Sequence, residues 1–195
     1  MKNSVGIIEV PGWAFAILLL GCNTNKGGNG RAVTSDSAVF YPVKQYFLQQ
    51  IHEADSAAVF IYKTTSENGR RDSAVLNKKQ FDSLAQFFLL YDISDKRVHN
   101  QYKENIFLDE TTHSYTFNYT AADSLLALKS LDILLDIGST QVKRVFLTVA
   151  KNVGGHYITV KAGWKTGDRF FINKLTEHGD STTVQQNTIV WRNQP

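Results

Sequence analysis

The sequence is poor in the residues that cross-link a chain or bind metals through sulfur. It contains one cysteine, Cys22, so no intramolecular disulfide and no cluster of cysteine metal ligands can form. It has only three prolines, and its apolar runs are shorter than the ~20 residues of a membrane-spanning helix. We therefore expect a domain that is held together by an ordinary hydrophobic core.

Concentrated charge is also absent. Lysine and arginine number 21 against 18 acidic residues, which gives a net charge of +3, and like charges occur only in isolated pairs such as Lys78-Lys79. Nucleic-acid binding usually depends on a concentrated basic patch. We therefore expect no nucleic-acid partner.

Complete catalytic motifs are missing as well. Lys165-Thr166-Gly167 matches one element of the serine β-lactamases, but the Ser-x-x-Lys and Ser-Asp-Asn elements that this chemistry needs do not occur. We interpret the three residues as a turn between strands. None of the five histidines belongs to a His-Glu-x-x-His motif, and no Gly-x-Ser-x-Gly sequence is present.

Carboxylates and aromatic residues provide weaker candidates for a site. Asp132 and Asp136 are predicted on one strand face, about 13 Å apart, whereas glycosidases place two carboxylates about 5–9.5 Å apart. Trp164 and Trp191 could stack on sugars, but core packing is the favoured interpretation. These observations favour a protein that is not an enzyme, with no cofactor and no metal site.

The residues that are abundant predict a sheet-rich α+β fold. Aromatic residues make up 12% of the chain, and many others are β-branched. A first helix is predicted from Pro42 to about Ala54. A second begins after Asn77, whose spacing from Gln80 is typical of a capping box, and ends near residue 91. A short third helix is predicted after residue 94, with Val98 and Tyr102 on one face.

Strand signals follow a period of two. A hairpin is predicted across Asn68-Gly69. Six further strands are expected at 113–120, 131–135, 142–150, 156–162, 170–176 and 182–192. We predict two or three N-terminal helices and a hairpin packed on a curved, mostly antiparallel sheet, with a half-open β-barrel as the alternative.

The beginning of the chain has the pattern of an export signal. An apolar segment of signal-peptide length ends at Leu19-Leu20-Gly21-Cys22, which resembles a bacterial lipobox. This resemblance implies cleavage before Cys22 and attachment of a diacylglycerol to its sulfur. The alternatives are an ordinary cleaved signal peptide or a buried helix with a core thiol.

We divide the chain into a signal peptide (1–21), a lipidated cysteine with a flexible tether (22–38) and one α+β domain (39–195).

The dipeptide Asp-Ser is unusually frequent. It accounts for six of the twelve aspartates, and alanine, leucine or threonine follows each pair. This pattern resembles the O-glycosylation acceptor motif of exported proteins in Bacteroidetes-type bacteria. The candidate acceptors are Ser37, Ser56, Ser124 and Ser181. The alternative interpretation is the ordinary use of Asp and Ser in turns and helix caps.

The lipobox and the Asp-Ser triplets together resemble uncharacterised envelope lipoproteins of Bacteroidetes-type bacteria. The resemblance implies a membrane anchor at Cys22. The segment 23–26 lacks an acidic cluster, which favours the periplasmic side of the outer membrane. We expect a non-catalytic protein that binds an envelope partner or ligand through its sheet face. The alternatives are a hydrolase of glycans or peptidoglycan, with carboxylates assembled by the fold, and a carrier of an apolar ligand.

Overall fold

A computed structural model describes residues 40–56 and 60–191. Within these ranges the chain forms two α-helices, one 3₁₀ turn (His99–Gln101) and one nine-stranded antiparallel sheet. The helices are α1 (Val43–Ser56) and α2 (Lys78–Leu89). The strands are β1 (Ile61–Glu67), β2 (Arg70–Leu76), β3 (Tyr102–Asp109), β4 (Ser114–Ala121), β5 (Leu128–Asp136), β6 (Val142–Val153), β7 (His156–Lys165), β8 (Arg169–His178) and β9 (Ser181–Val190).

The sheet is a long meander that is extended by the first hairpin. Its strand order is β2-β1-β9-β8-β7-β6-β5-β4-β3, so each strand from β3 to β9 pairs with the next in sequence. Strand β1 returns to pair with β9, and β2 and β3 form the two edges. The sheet is therefore open rather than a closed barrel.

Both helices lie against one face of the sheet, which we call the inner face. Phe47 of α1 contacts Trp164 of β7 with ring centroids 5.6 Å apart, and Phe88 of α2 lies 5.3 Å from Phe170 of β8. Because strand side chains alternate between faces, the neighbours of Trp164 and Phe170 point to the opposite, outer face. The inner face and the two helices together form an aromatic core.

Helix α2 begins where its sequence predicts. The side-chain oxygen of Asn77 accepts a hydrogen bond from the backbone N–H of Gln80 at 2.9 Å, and the Gln80 side chain accepts one from Asn77 N–H at 2.9 Å. This reciprocal pair is the predicted capping box. The apolar residues Phe81, Ala85 and Phe88 are all buried. The capping box and this stripe therefore account for both the start of α2 and the side that faces the sheet.

The predicted hairpin and the six-strand meander are also confirmed. Asn68 and Gly69 both have positive φ, 47° and 84°, as the tight turn of a two-residue hairpin requires. Strands β4 to β9 cover the six predicted segments. The predicted sheet-dominated α+β class is therefore confirmed in its coarse form.

Several finer predictions are wrong. The helices are not grouped at the N-terminus, since α2 follows the first hairpin, and that hairpin joins the sheet edge instead of packing on the sheet. The predicted third helix is only the 3₁₀ turn, because Tyr102 already belongs to β3. Strand β3 itself was not predicted.

The predicted signal peptide, Cys22, the tether and Ser37 lie outside the described residues. Among the residues that the structure does describe, no helix is long and apolar enough to cross a membrane.

Candidate functional site

A cleft of about 300 Å³ lies on the outer face, where β6, β7 and β8 run side by side. It is lined by Arg144, Phe146, Gly163, Trp164, Lys165, Arg169 and Phe171. The strand register arranges six of these residues in two rows. One row is cationic, with Arg144 beside Lys165 and Lys165 beside Arg169. The second row, one step further along the strands, places Gly163 between Phe146 and Phe171.

Gly163 allows the two phenylalanine rings to close over the strand. A Cβ atom at this position would lie 2.5 Å from Cε1 of Phe171 and 2.8 Å from Cδ1 of Phe146, which is too close for a real contact. The two rings are tilted by 45°, with centroids 6.4 Å apart. Aromatic side chains that cover a strand glycine also stabilise a sheet. The same arrangement gives the cleft an apolar floor.

Two of the three cations share one buried carboxylate. Lys165 Nζ donates a hydrogen bond to Asp168 Oδ2 at 2.6 Å, and the Arg169 guanidinium approaches the same oxygen at 3.3 Å. Asp168 is only 4% exposed. Its second oxygen, Oδ1, is buried and has no hydrogen-bond partner among the described residues.

The electrostatic balance at Asp168 favours the charged form. Desolvation alone would raise the pKa of this carboxyl. The hydrogen bond from Lys165 and the charge of Arg169 outweigh that effect and hold the pKa below its ordinary value. Asp168 therefore remains a carboxylate and fixes the positions of two cationic side chains.

Helix α1 holds the turn that carries Asp168. The backbone N–H of Gly167, a residue with φ of +64°, donates to Oε1 of the buried Gln50 at 2.9 Å. The hydroxyl groups of Tyr46 and Thr166 lie 2.8 Å apart, and burial raises the pKa of Tyr46. As predicted, Thr166 and Gly167 lie in a turn between two strands, whereas Lys165 is the last residue of β7. Two hydrogen bonds therefore attach this exposed turn to helix α1.

Arg144 completes the cationic row, and no described carboxylate lies within ion-pair distance of it. Its side chain is exposed on β6. Like charges directly opposite each other on neighbouring strands repel. Among the described residues, Asp168 is the only carboxylate bonded to the row, and it contacts two of the three cations. The cleft thus carries an excess of positive charge beside two aromatic rings.

The two carboxylates singled out from sequence have structural partners outside the lining of this cleft. Asp132 lies on the outer face beside Phe146, and its Oδ1 accepts a hydrogen bond from Asn118 at 2.5 Å. Asp136 accepts bonds from Gly138 N–H and Ser139 N–H in the turn after β5. The bonds from Ser139 lower the pKa of Asp136. The structure therefore assigns these carboxylates to sheet and turn contacts.

The structure also shows where the tryptophans and histidines considered in the sequence analysis lie. Trp164 and Trp191 are buried in the core, which confirms the favoured interpretation. His113 was predicted on a strand face, but it has φ of 47° and lies in the turn before β4, which corrects that prediction. His156 and His178 stack with centroids 4.1 Å apart. The described ranges contain no group of three or more side chains that could hold a metal ion.

Three of the candidate glycosylation serines fall in the described ranges. Ser56 ends α1, Ser124 follows β4 and Ser181 begins β9. All three are exposed. Exposure is compatible with modification and equally with a role in turns, so O-glycosylation stays a prediction.

Sequence reasoning missed the two arginines and two phenylalanines of the cleft. Arg144 and Phe146 do alternate with Val145 in a predicted strand, which places them on the face opposite the core. Gly163 interrupts another predicted strand, and an isolated strand glycine often marks a close approach of other groups. Those two signals could have directed attention to this part of the sheet.

Comparison with known proteins adds no relative to this description. No protein-family model matches the chain, and neither curated proteins nor solved structures give a significant match. The geometry of the site itself is therefore the basis on which a function can be proposed.

Replacing Asp168 by Asn is expected to lower the free energy of unfolding by about 1–2 kcal/mol at pH 7, since its partners are charged but half exposed. Because the pKa of Asp168 is lower in the folded state, its contribution is complete above the ordinary Asp value of about 3.9 and is lost as the pH falls through the folded value. The stability difference between wild type and variant should therefore shrink at acid pH.

Urea unfolding of both proteins at a series of pH values between about 7 and 2 measures this difference. Asp180→Asn is the control, since Asp180 is an exposed turn residue outside the cleft. A difference between wild type and Asp168→Asn that stays constant with pH would contradict the assignment.

Proposed function

We propose that this protein is a non-catalytic, lipid-anchored envelope protein that binds a ligand or partner through the outer face of its sheet. The observation that carries the proposal is the cleft in which Arg144, Lys165 and Arg169 lie beside two phenylalanine rings. Small-molecule sites typically combine an apolar lining with a few convergent polar groups. The anchor is Cys22, and the expected location is the periplasmic side of the outer membrane.

The inner face of the sheet is already covered by the two helices. The side chains that point toward the helices form an aromatic cluster in which Trp164 contacts Phe47, Phe88 and Phe170, with centroids between 4.9 and 5.6 Å apart. Such packing fills the space in which a carrier would hold an apolar ligand. Of the described carboxylates near this cleft, Asp168 is bonded to Lys165 and Arg169, and Asp132 accepts a hydrogen bond from Asn118. These contacts do not favour the acid–base pair that a hydrolase needs. The geometry thus favours binding at the outer face over either alternative.

Photo-crosslinking in cells that produce the full chain tests the binding face. A photoreactive amino acid is placed at Lys161, an exposed outer-face position two residues from Gly163, or at Gln86, an exposed position on α2. We expect a discrete crosslinked adduct from position 161 and none from position 86. Adducts from position 86 alone, or from neither position, would contradict the proposal.

The anchor has a separate test. Cys22→Ala is expected to remove metabolic labelling by fatty acid and to release the protein from the membrane fraction. The substitution removes the sulfur that would carry the diacylglycerol, and stable anchoring needs two or more acyl chains. Ser4→Ala, a substitution in the same leader outside the lipobox, is the control and should leave both readouts unchanged. Wild-type protein that carries no lipid label would refute the anchor.

A further inference from the structure

We infer that the outer-face cleft binds a small anionic ligand in which a carboxylate or phosphate group is attached to a ring. This inference rests on the proposed function and adds the chemical class of the ligand. The acid group would lie at Arg144 and its neighbouring cations, and the ring would lie against Phe146 and Phe171.

The spacing of the two rows fits such a ligand. Directly opposite residues on antiparallel strands are about 4.5–5.5 Å apart, so the row from Arg144 to Arg169 spans about 10 Å. Residues two positions apart along one strand are separated by about 7 Å. The cationic and aromatic rows are therefore separated by roughly the distance between an acid group and the far side of an attached six-membered ring.

Arg144 is the cation that is free to bind the acid group. Lys165 and Arg169 already contact Asp168, whereas Arg144 has no acidic partner among the described residues. A guanidinium binds carboxylate and phosphate through two parallel hydrogen bonds. Lys165 and Arg169, which Asp168 holds in place, would add positive potential at the same position.

The aromatic floor distinguishes this site from a surface that attracts any anion. Phe146 and Phe171 are half-buried, and together with Gly163 they form an apolar surface directly beside the charges. A ring placed there removes apolar area from water. The cleft volume of about 300 Å³ lies at the small end of ligand sites. This size suits one ring with its acid group rather than a long lipid chain.

Binding to the full chain in detergent can be measured by calorimetry with phenyl phosphate, benzoate, inorganic phosphate and benzyl alcohol. We expect at least one of the two ring-bearing anions to bind at least about tenfold more tightly than inorganic phosphate, since the ring contributes about one to two kcal/mol of apolar burial. Benzyl alcohol, which has the ring without the charge, should show no measurable binding. The tighter of phenyl phosphate and benzoate would identify the preferred acid group.

Two substitutions distinguish the contribution of the charge to ligand affinity from that of the aromatic floor. Arg144→Gln is expected to weaken that anion about tenfold, whereas Arg71→Gln, the same change at an exposed arginine on β2, should leave its affinity unchanged. Phe171→Leu should reduce the preference for the ring-bearing anion over inorganic phosphate. Equal affinity for all anions, or equal effects of the two arginine substitutions, would overturn the inference. A crosslink at position 161 would still stand in that case, so the proposed function would survive.

Discussion

Phe88→Ala is expected to lower the free energy of unfolding by about 3–5 kcal/mol, the usual cost of removing a buried aromatic side chain. Phe88 is fully buried, and its ring lies 5.0 Å from both Phe47 and Trp164 and 5.3 Å from Phe170. It therefore connects α2 both to α1 and to the centre of the sheet. Because domains are stable by only about 5–15 kcal/mol in total, the loss is a large part of the whole.

Chemical denaturation provides the measurement, and the chain contains a matched control. Phe60 precedes β1 and is 72% exposed, so Phe60→Ala removes the same atoms from a site that is mostly in water. We expect that variant to stay within about 0.5 kcal/mol of wild type. The dependence on denaturant concentration should be similar for all three proteins if each unfolds in one step. Equal losses for the two variants would show that the aromatic cluster does not hold the helices to the sheet.

The elements that sequence predicts well are those whose signals are local. The start of α2 depends on Asn77 and Gln80, three residues apart, and the first hairpin depends on Asn68-Gly69. Strand β3 lacks such a signal. It is an edge strand with one neighbour, and its inward-facing positions include Glu104, which is paired with Tyr119. A charged residue among the apolar positions conceals the period of two.

The candidate site depends on register, which a sequence specifies poorly. Arg144 and Lys165 lie opposite each other only because β6 and β7 pair in one particular alignment. A shift of one residue in either strand would exchange the faces on which its side chains lie. The aromatic core selects the alignment, since Trp164 and Val145 are paired and both are buried. Individual positions on the outer face could thus be predicted, but the rows that form the cleft could not.

Gly163→Ala is expected to lower the free energy of unfolding by about 1–3 kcal/mol, the range for overpacking a well-packed site. The added methyl would lie 2.5 Å from one Phe171 carbon and 2.8 Å from Phe146 Cδ1, so both rings would have to move. Gly163 does not have the positive φ that disfavours other residues. The cost should therefore come from the ring contacts and not from the backbone.

Two further variants distinguish these causes in the same denaturation experiment. Gly138→Ala is the matched control, because its Cβ would meet only Asp136 Oδ1 at an ordinary 3.5 Å, and we expect a change within about 0.5 kcal/mol. The double variant Gly163→Ala/Phe171→Leu should lose less than the sum of its single variants, since leucine leaves room for the methyl. Strict additivity would mean that Phe171 does not close over Gly163. In that case the Phe171 ring would not be part of the apolar floor of the cleft.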